Sequence, residues 1–285
     1  MEDLVNNSVL VLAGLLVSFA PAVQAQKPSA ADTAALIEMT RAATLAYSAS
    51  LPDFVCTEVI SRYRQVAAFA APSAPVKGRA TAISGGAEPW QSLDKLTVKL
   101  TYFQQQEAHQ LMMLDGKPTT LEYDSLNDGA IISGEFGGML KSIFDPASQT
   151  SFLWEHWKTE RGRRIAIFAY KVAAANSNYS LESRVAGSMR SALVGYHGTL
   201  EIDSETGRVL HFDHGADRIP KELEFTAVIT TIDYDFAEIA GHRYLLPARS
   251  KIEMRSPMSA QKNESEFREY GKFEASSSVN FGKGK

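Results

Sequence analysis

Histidine residues in the C-terminal half of the chain could ligate a metal ion. His211 and His214 lie three positions apart in the segment His-Phe-Asp-His, and His197 and His242 are further candidate ligands. A closed zinc site takes four ligands, which are oriented by further hydrogen-bond partners. On a β-strand, however, residues three apart project from opposite faces. The pattern therefore favours titratable residues of a hairpin, and we predict no metal site and no cofactor.

Acidic residues offer a second chemistry, that of a hydrolase. Glu155 and His156 lie between Trp154 and Trp157, as in sites that bind sugars, but neighbouring residues of a strand point to opposite faces. Glu135 could form a glycosidase pair with a distant acid, although the sequence does not establish their separation. The chain has neither a nucleophile elbow nor a zincin motif. We predict no catalytic residues, and a cell-envelope hydrolase is the less favoured alternative.

Cys56 is the only cysteine in the sequence. A single thiol cannot form an internal disulfide, so the folded state must be stabilised by its core. The residue lies in a strand-like segment, where cysteine packs as a small apolar side chain. No neighbouring residue would lower its pKa and make it a nucleophile. We predict a structural role for this thiol.

The N-terminal segment is typical of a secretory signal peptide. An apolar run from Val9 to Ala20 is followed by Pro21 and by small residues up to Ala25, where cleavage is expected. The run is shorter than the ~20 residues that span a bilayer. The usual positive charge is missing from the first residues, and a buried N-terminal helix is the alternative. We predict a signal peptide over residues 1–25, no stable membrane span, and a periplasmic or secreted bacterial protein.

The remaining residues, 26–285, are predicted to form a single domain. The whole chain of 285 residues has 29 basic and 33 acidic residues, a net charge of −4. Nucleic acids and anionic membranes are bound by a clustered excess of lysine and arginine, so this balance argues against both. A local basic cluster, Arg161, Arg163 and Arg164, is typical of a charged hairpin turn. We expect a monomer that does not bind nucleic acid.

Two segments have helical periodicity, and one has the composition of a loop. Residues 31–50 suit a helix that Asp32 can cap. Residues 134–145 suit a second helix, with five apolar residues along one face: Phe136, Met139, Leu140, Ile143 and Phe144. Residues 68–91 are rich in Ala, Pro, Gly and Ser, which predicts a mobile surface loop.

The rest of the chain alternates apolar and polar residues over about ten strands in sequential hairpins. The turn Asp115-Gly116 is a strong hairpin signal, and Ala240-Gly241 joins the longest pair of strands. Many consecutive hairpins with two or three helices predict a mainly β fold, an antiparallel sheet curled around one core.

The C-terminal half resembles a known family. Residues 198–210 form a strand–turn–strand, followed by a strand over 228–239 and by the segment 240–247, which begins with a turn. This pattern resembles the LolA/LolB periplasmic lipoprotein-carrier superfamily and related outer-membrane lipoprotein-sorting-like domains. Segments such as 51–56 and 134–137 also resemble those of a group of bacterial secreted proteins. The resemblance implies a highly curved, unclosed β-barrel (a half-barrel) with helices covering its concave face around an apolar cavity for acyl chains.

The resemblance also implies a ligand site. The five apolar residues of the second helix would form part of a lid, and Trp154 and Trp157 would line the wall. These seven are the predicted ligand-binding residues. The chain would then be a non-enzymatic carrier of a lipid or acyl chain, with an envelope protein as a further partner. A secreted structural or protein-interaction module, its core filled by its own side chains, is the alternative.

Overall fold

The computed structural model describes residues 27–66, 89–126, 134–185 and 187–273. The predicted signal peptide and nearly all of the predicted loop at 68–91 lie outside these residues. Gln91, the last residue of that loop, already belongs to a strand. The described part contains two α-helices, α1 (Ala30–Ser50) and α2 (Gly138–Phe144). Its thirteen strands are β1 (Phe54–Val66), β2 (Gln91–Phe103), β3 (Gln106–Leu114), β4 (Lys117–Pro118), β5 (Ser151–Glu160), β6 (Arg163–Val172), β7 (Ser180–Val185), β8 (Ser188–Leu193), β9 (Gly195–Asp203), β10 (Val209–Asp217), β11 (Ala227–Ile239), β12 (His242–Arg255) and β13 (Ser259–Lys272).

Eleven of the strands form one antiparallel sheet. Their order is β4-β3-β2-β1-β13-β12-β11-β10-β9-β6-β5, so most neighbours in space are neighbours in the chain. The two outermost strands, β4 and β5, do not pair with each other, and the sheet is therefore open. This confirms the predicted mainly β fold, an unclosed antiparallel half-barrel. β7 and β8 pair only with each other, in a separate two-stranded sheet.

Two-residue turns close the predicted hairpins. At Asp115-Gly116 the φ angles are 50° and 74°, and at Ala240-Gly241 they are 51° and 82°. Two positive φ values in succession are the mark of the type I′ turn, whose twist matches that of the strands on either side. These turns confirm the two hairpins expected from the sequence.

The first helix begins one residue earlier than predicted and has a different cap. Ser29 is the N-cap, and its hydroxyl accepts a hydrogen bond from the Asp32 N–H at 3.1 Å. The Asp32 carboxylate in turn accepts from the Ser29 N–H at 3.3 Å, which completes a capping box. The prediction that Asp32 itself caps the helix was therefore wrong. It occupies the third helical position.

The second helix is shorter than the predicted 134–145. Gly134 and Gly137 have φ angles of 95° and 106°, which a right-handed helix cannot contain. The residues from 134 to 137 form a turn instead, and the helix begins at Gly138. At the other end, Asp145 is extended before Pro146, and the helix ends at Phe144, one residue before the predicted end.

Both helices pack against the same side of the sheet. Ile37 of α1 and Leu140, Ile143 and Phe144 of α2 belong to the largest buried cluster, together with apolar residues of β6, β9, β10, β11 and β12. A second cluster surrounds Phe54 on β1 and contains Cys56, Leu100, Tyr102 and Phe136. Within the described ranges, neither helix combines the length and the apolar character required to traverse a bilayer.

Candidate functional site

A cavity of about 410 Å³ lies between the helices and the sheet. We call it the helix cavity. Its size is within the range of about 300–1,000 Å³ that is typical of small-molecule sites. Nine of its fourteen lining residues are apolar or aromatic: Ala43, Ala46, Tyr47, Leu51, Leu140, Val209, Tyr234, Tyr244 and Leu245. The other five are Thr44, Ser50, Thr206, Arg208 and Arg243.

The structure distributes the predicted lid residues between cavity and core. Leu140 lines the helix cavity. Met139 lines a separate cavity of about 290 Å³ on the other side of α2. Ile143 and Phe144 are fully buried in the core, and Phe136 belongs to the second buried cluster. The ligand-binding role of these residues therefore stays a prediction.

The predicted wall residues lie side by side on β5. The Trp154 and Trp157 rings meet edge to face, with their centroids 6.2 Å apart. Both rings are half-buried against the largest buried cluster. The Arg164 guanidinium lies 3.8 Å from the centroid of the Trp157 ring. Neither tryptophan lines the helix cavity, so their role in binding a ligand also stays a prediction.

A third cavity, of about 430 Å³, is polar and lies along β5, β6 and β9–β12. We call it the polar cavity. His211 lines it, and its Nδ1 lies 2.6 Å from the Asp233 carboxylate. Hydrogen bonds with Asp213 and Asp233 raise the pKa of His211 to about 10, and the His211 side chain lowers the pKa of Asp213 to about 2. This histidine is therefore held as a cation by two carboxylates.

His214 lies on the opposite face of the same strand, as the sequence predicts. Its Nδ1 is 3.1 Å from the Tyr170 hydroxyl, and burial lowers its pKa to about 4. His197 lies beside Gly215, and His242 contacts the Ala240 carbonyl. The four histidines thus do not converge. In the part of the chain that the structure describes, no group of three or more His, Cys, Asp or Glu residues could hold a metal ion.

Three glutamates lie close together beneath the turn that precedes α2. The Glu107 carboxylate accepts hydrogen bonds from the N–H groups of Gly134, at 3.0 Å, and Phe136, at 3.4 Å. Glu58 and Glu135 are 4% and 3% exposed, and each has one carboxylate oxygen with no hydrogen-bond partner. Burial raises the pKa of Glu58 to about 7 and holds that of Glu135 well above its ordinary value, with a further contribution from the Glu107 charge.

Glu58 and Glu107 are therefore the acidic neighbours of Glu135, whose positions the sequence could not establish. Raised carboxyl pKa values are a frequent sign of catalytic acids. Here, however, none of the three cavities is lined by Glu58, Glu107 or Glu135. The cluster is enclosed by the core, and its clearest physical effect is on stability. Cys56, nearby, is 3% exposed, and burial raises the pKa of its thiol, which agrees with its predicted structural role.

No protein-family model and no curated protein sequence matches this chain. Similar solved structures include a LolA superfamily protein from Nitrosomonas europaea, 7% identical, with 85% of this chain and 94% of that chain covered and a TM-score of 0.38. A DUF1329 family protein from Desulfovibrio piger is 8% identical, with 84% and 92% covered and a TM-score of 0.37. An outer membrane lipoprotein-sorting protein domain from Vibrio parahaemolyticus is 10% identical, with 82% and 90% covered and a TM-score of 0.34.

The sequence resembles the LolA/LolB superfamily. The open antiparallel sheet, with two helices against one side, is the architecture which that resemblance implies. The fold is an unclosed antiparallel half-barrel.

In this half-barrel, tertiary hydrogen bonds hold α2 in place. The last carbonyls of a helix have no partner within the helix. Here the Arg41 guanidinium donates to the Phe144 carbonyl, the Tyr196 hydroxyl to the Ser142 carbonyl at 3.1 Å, and the Thr150 hydroxyl to the Ile143 carbonyl at 2.5 Å. A short helix with a glycine at its start is thereby fixed, and Leu140 is held at the helix cavity.

We expect the buried acid cluster to make the folded protein less stable as the pH rises. Between the ordinary glutamate pKa of 4.5 and the folded value of about 7, folded Glu58 keeps a proton that the unfolded chain has lost. The free energy of unfolding must therefore fall as the pH rises through this window. Glu58→Gln should remove up to about 3 kcal/mol of that fall between pH 4 and 7.

Urea unfolding at several pH values measures this effect. The control is Glu155→Gln, which changes an exposed glutamate on β5 and should leave the pH dependence of the wild type unaltered. If the free energy of unfolding had the same slope against pH in the wild type and in Glu58→Gln, Glu58 would ionise normally in the folded protein.

Proposed function

We propose that this chain is a non-enzymatic carrier that binds a lipid or acyl chain in the helix cavity. The observation that carries the proposal is a cavity of about 410 Å³ in which nine of the fourteen lining residues are apolar or aromatic. We further propose that it is a periplasmic or secreted bacterial monomer and that it has an envelope protein as a partner. The resemblance of the sequence to lipoprotein carriers implies the same class of ligand.

The walls of the helix cavity suit an alkyl chain. Ala43 and Ala46 present small side chains from α1, while Leu140, Tyr234 and Leu245 supply larger apolar surfaces. Transfer of each methylene group from water to such surroundings contributes about 0.8 kcal/mol. An alkyl chain makes no demand on polar partners and can pack against these apolar walls.

The position of the aromatic wall is fixed by hydrogen bonding and ring contacts. The Tyr234 hydroxyl donates to the Glu135 carbonyl at 2.8 Å. The Tyr47 ring meets the Tyr234 ring edge to face, with centroids 6.3 Å apart. A cavity whose walls are held in this way is preformed, which lowers the entropy cost of binding.

Filling the cavity tests the proposal. The probe is N-phenyl-1-naphthylamine, an uncharged dye whose fluorescence increases in apolar surroundings, and 1-decanol serves as the competitor. We expect the wild-type protein to bind the dye and 1-decanol to displace it. Ala43→Trp places an indole in the cavity and should weaken dye binding at least tenfold.

Ala42→Trp is the matched control. Ala42 neighbours Ala43 on α1 but is exposed and does not line the cavity, so this variant should bind the dye like the wild type. Circular dichroism verifies that both variants are folded. A wild-type protein that binds no dye would favour a module whose core is filled by its own side chains. If folded Ala43→Trp bound the dye with the affinity of the wild type, the dye would bind outside the helix cavity.

A further inference from the structure

Three arginines from different strands and loops surround one phenylalanine. The guanidinium carbons of Arg163, Arg208 and Arg243 lie 5.5, 5.6 and 4.7 Å from the centroid of the Phe236 ring. The guanidinium groups are attracted to the face of an aromatic ring, and here all three share the same ring. We call Arg163, Arg208 and Arg243 the arginine cluster. All three residues are exposed, so a ligand can reach them from solvent.

The arginine cluster has no acidic partner among the described residues. The carboxylates that line the adjoining polar cavity are already paired: Glu160 and Glu201 with Lys158, at 2.6 and 3.0 Å, Asp233 with His211, at 2.6 Å, and Asp235 with Arg161, at 3.7 Å. Glu238 is the cross-strand neighbour of Arg243, yet the two form no ion pair within 4.0 Å. Three positive charges are therefore left without a counterion from the described chain.

The arginine cluster also lies at the edge of the proposed ligand site. Arg208 and Arg243 line the helix cavity, whereas Arg163 and Phe236 line the polar cavity. Tyr234 and Leu245 line both cavities and so mark where the two adjoin. A molecule in the helix cavity would have its apolar part against α1 and α2 and its end beside the arginine cluster.

We propose that the ligand is an amphiphile with a phosphate headgroup, whose alkyl chain occupies the helix cavity and whose phosphate is bound by the arginine cluster. This inference rests on the proposed function and specifies the class of ligand. The planar guanidinium group donates two parallel hydrogen bonds to phosphate oxygens, a geometry that lysine cannot provide. The Phe236 ring holds the three groups near one another before the ligand arrives, which reduces the cost of ordering them.

Two ligands with the same alkyl chain distinguish the contribution of the headgroup to binding from that of the tail. Binding of decyl phosphate and of 1-decanol is measured by displacement of N-phenyl-1-naphthylamine at low salt, below the concentration at which either aggregates. We expect the wild type to bind decyl phosphate about tenfold more tightly than 1-decanol, since each exposed charge pair contributes only modestly and three of them act together. Added NaCl should reduce this preference because salt screens exposed charges.

The variant Arg163→Gln/Arg208→Gln/Arg243→Gln should lose the preference and bind both ligands like 1-decanol. The control variant Arg190→Gln/Arg218→Gln/Arg268→Gln removes the same charge from three other exposed positions and should keep it. The single variant Arg243→Gln should lose about a third of the preference on a logarithmic scale, and it provides the test if the triple variant does not fold.

The outcomes distinguish this inference from the proposed function. If the wild type binds neither ligand, the proposed function fails. If it binds both with equal affinity, or if the arginine-cluster variant keeps the preference, the carrier proposal stands and the phosphate headgroup is refuted. Inorganic phosphate is the third arm. If inorganic phosphate competed as strongly as decyl phosphate, the arginine cluster would be a site for a free anion. The proposal of a lipid headgroup would then be refuted.

Discussion

Gly198→Ala should leave little folded protein. Gly198 lies in β9, between β6 and β10, and a β-carbon at this position would overlap the carbonyl oxygen of Asp213 and lie 2.7 Å from its carbonyl carbon. These backbone atoms cannot rotate away as the end of a side chain can. The Asp213 carbonyl is also fixed by the Tyr170 hydroxyl, which donates to it at 2.8 Å. We expect a loss of more than about 3 kcal/mol, beyond the usual cost of overpacking.

Urea unfolding followed by circular dichroism measures this loss, with Gly271→Ala as the control. Gly271 lies in β13, where an added β-carbon would meet nothing within 4 Å. That variant should have the stability of the wild type within about 0.5 kcal/mol. If Gly198→Ala were as stable as Gly271→Ala, β9 and β10 could not approach each other as described.

Phe144→Ala is expected to produce the second large loss, about 3–5 kcal/mol in the free energy of unfolding. Phe144 ends α2, is 0% exposed, and stacks on the Phe152 ring with centroids 5.3 Å apart. Truncation removes its buried apolar surface and leaves a cavity that the fixed strands around it cannot fill. Urea unfolding of the purified variant gives the value.

Met139→Ala provides the comparison on the same helix. Met139 is half-buried and lines a cavity, so its truncation should cost about 1 kcal/mol, well below the loss expected for a fully buried side chain. Equal losses for the two variants would contradict the assignment of Phe144 to the core and Met139 to a cavity wall.

The strands could be predicted from the sequence because their signals are local. Alternation of apolar and polar residues, and turns such as Asp115-Gly116, depend only on neighbouring residues. The start of α2 could not be predicted in this way. The apolar spacing continues through Gly134 and Gly137, but their positive φ angles exclude these residues from the helix. The pairing of β1 with β13 was likewise absent from the prediction, since hairpin signals say nothing about strands far apart in the chain.

The candidate site was only partly visible in the sequence. The apolar face of α2 includes Leu140, which lines the helix cavity, but most of that cavity is lined by α1 and by β10–β12. Arg161 does lie in the hairpin turn that the basic cluster predicts. Arg163, however, faces the same ring as Arg208 and Arg243, which the sequence places far away. Only the sheet register brings these arginines together.

The register between β1 and β13 also bears on the order of events in folding. β1 pairs with β2 on one side and with β13 on the other, and it joins two halves of the sheet that are otherwise built from nearby segments. Contacts between such distant residues raise the relative contact order and slow folding, since a long loop must close first. The two halves of the sheet can therefore pair only after β13 has been synthesised.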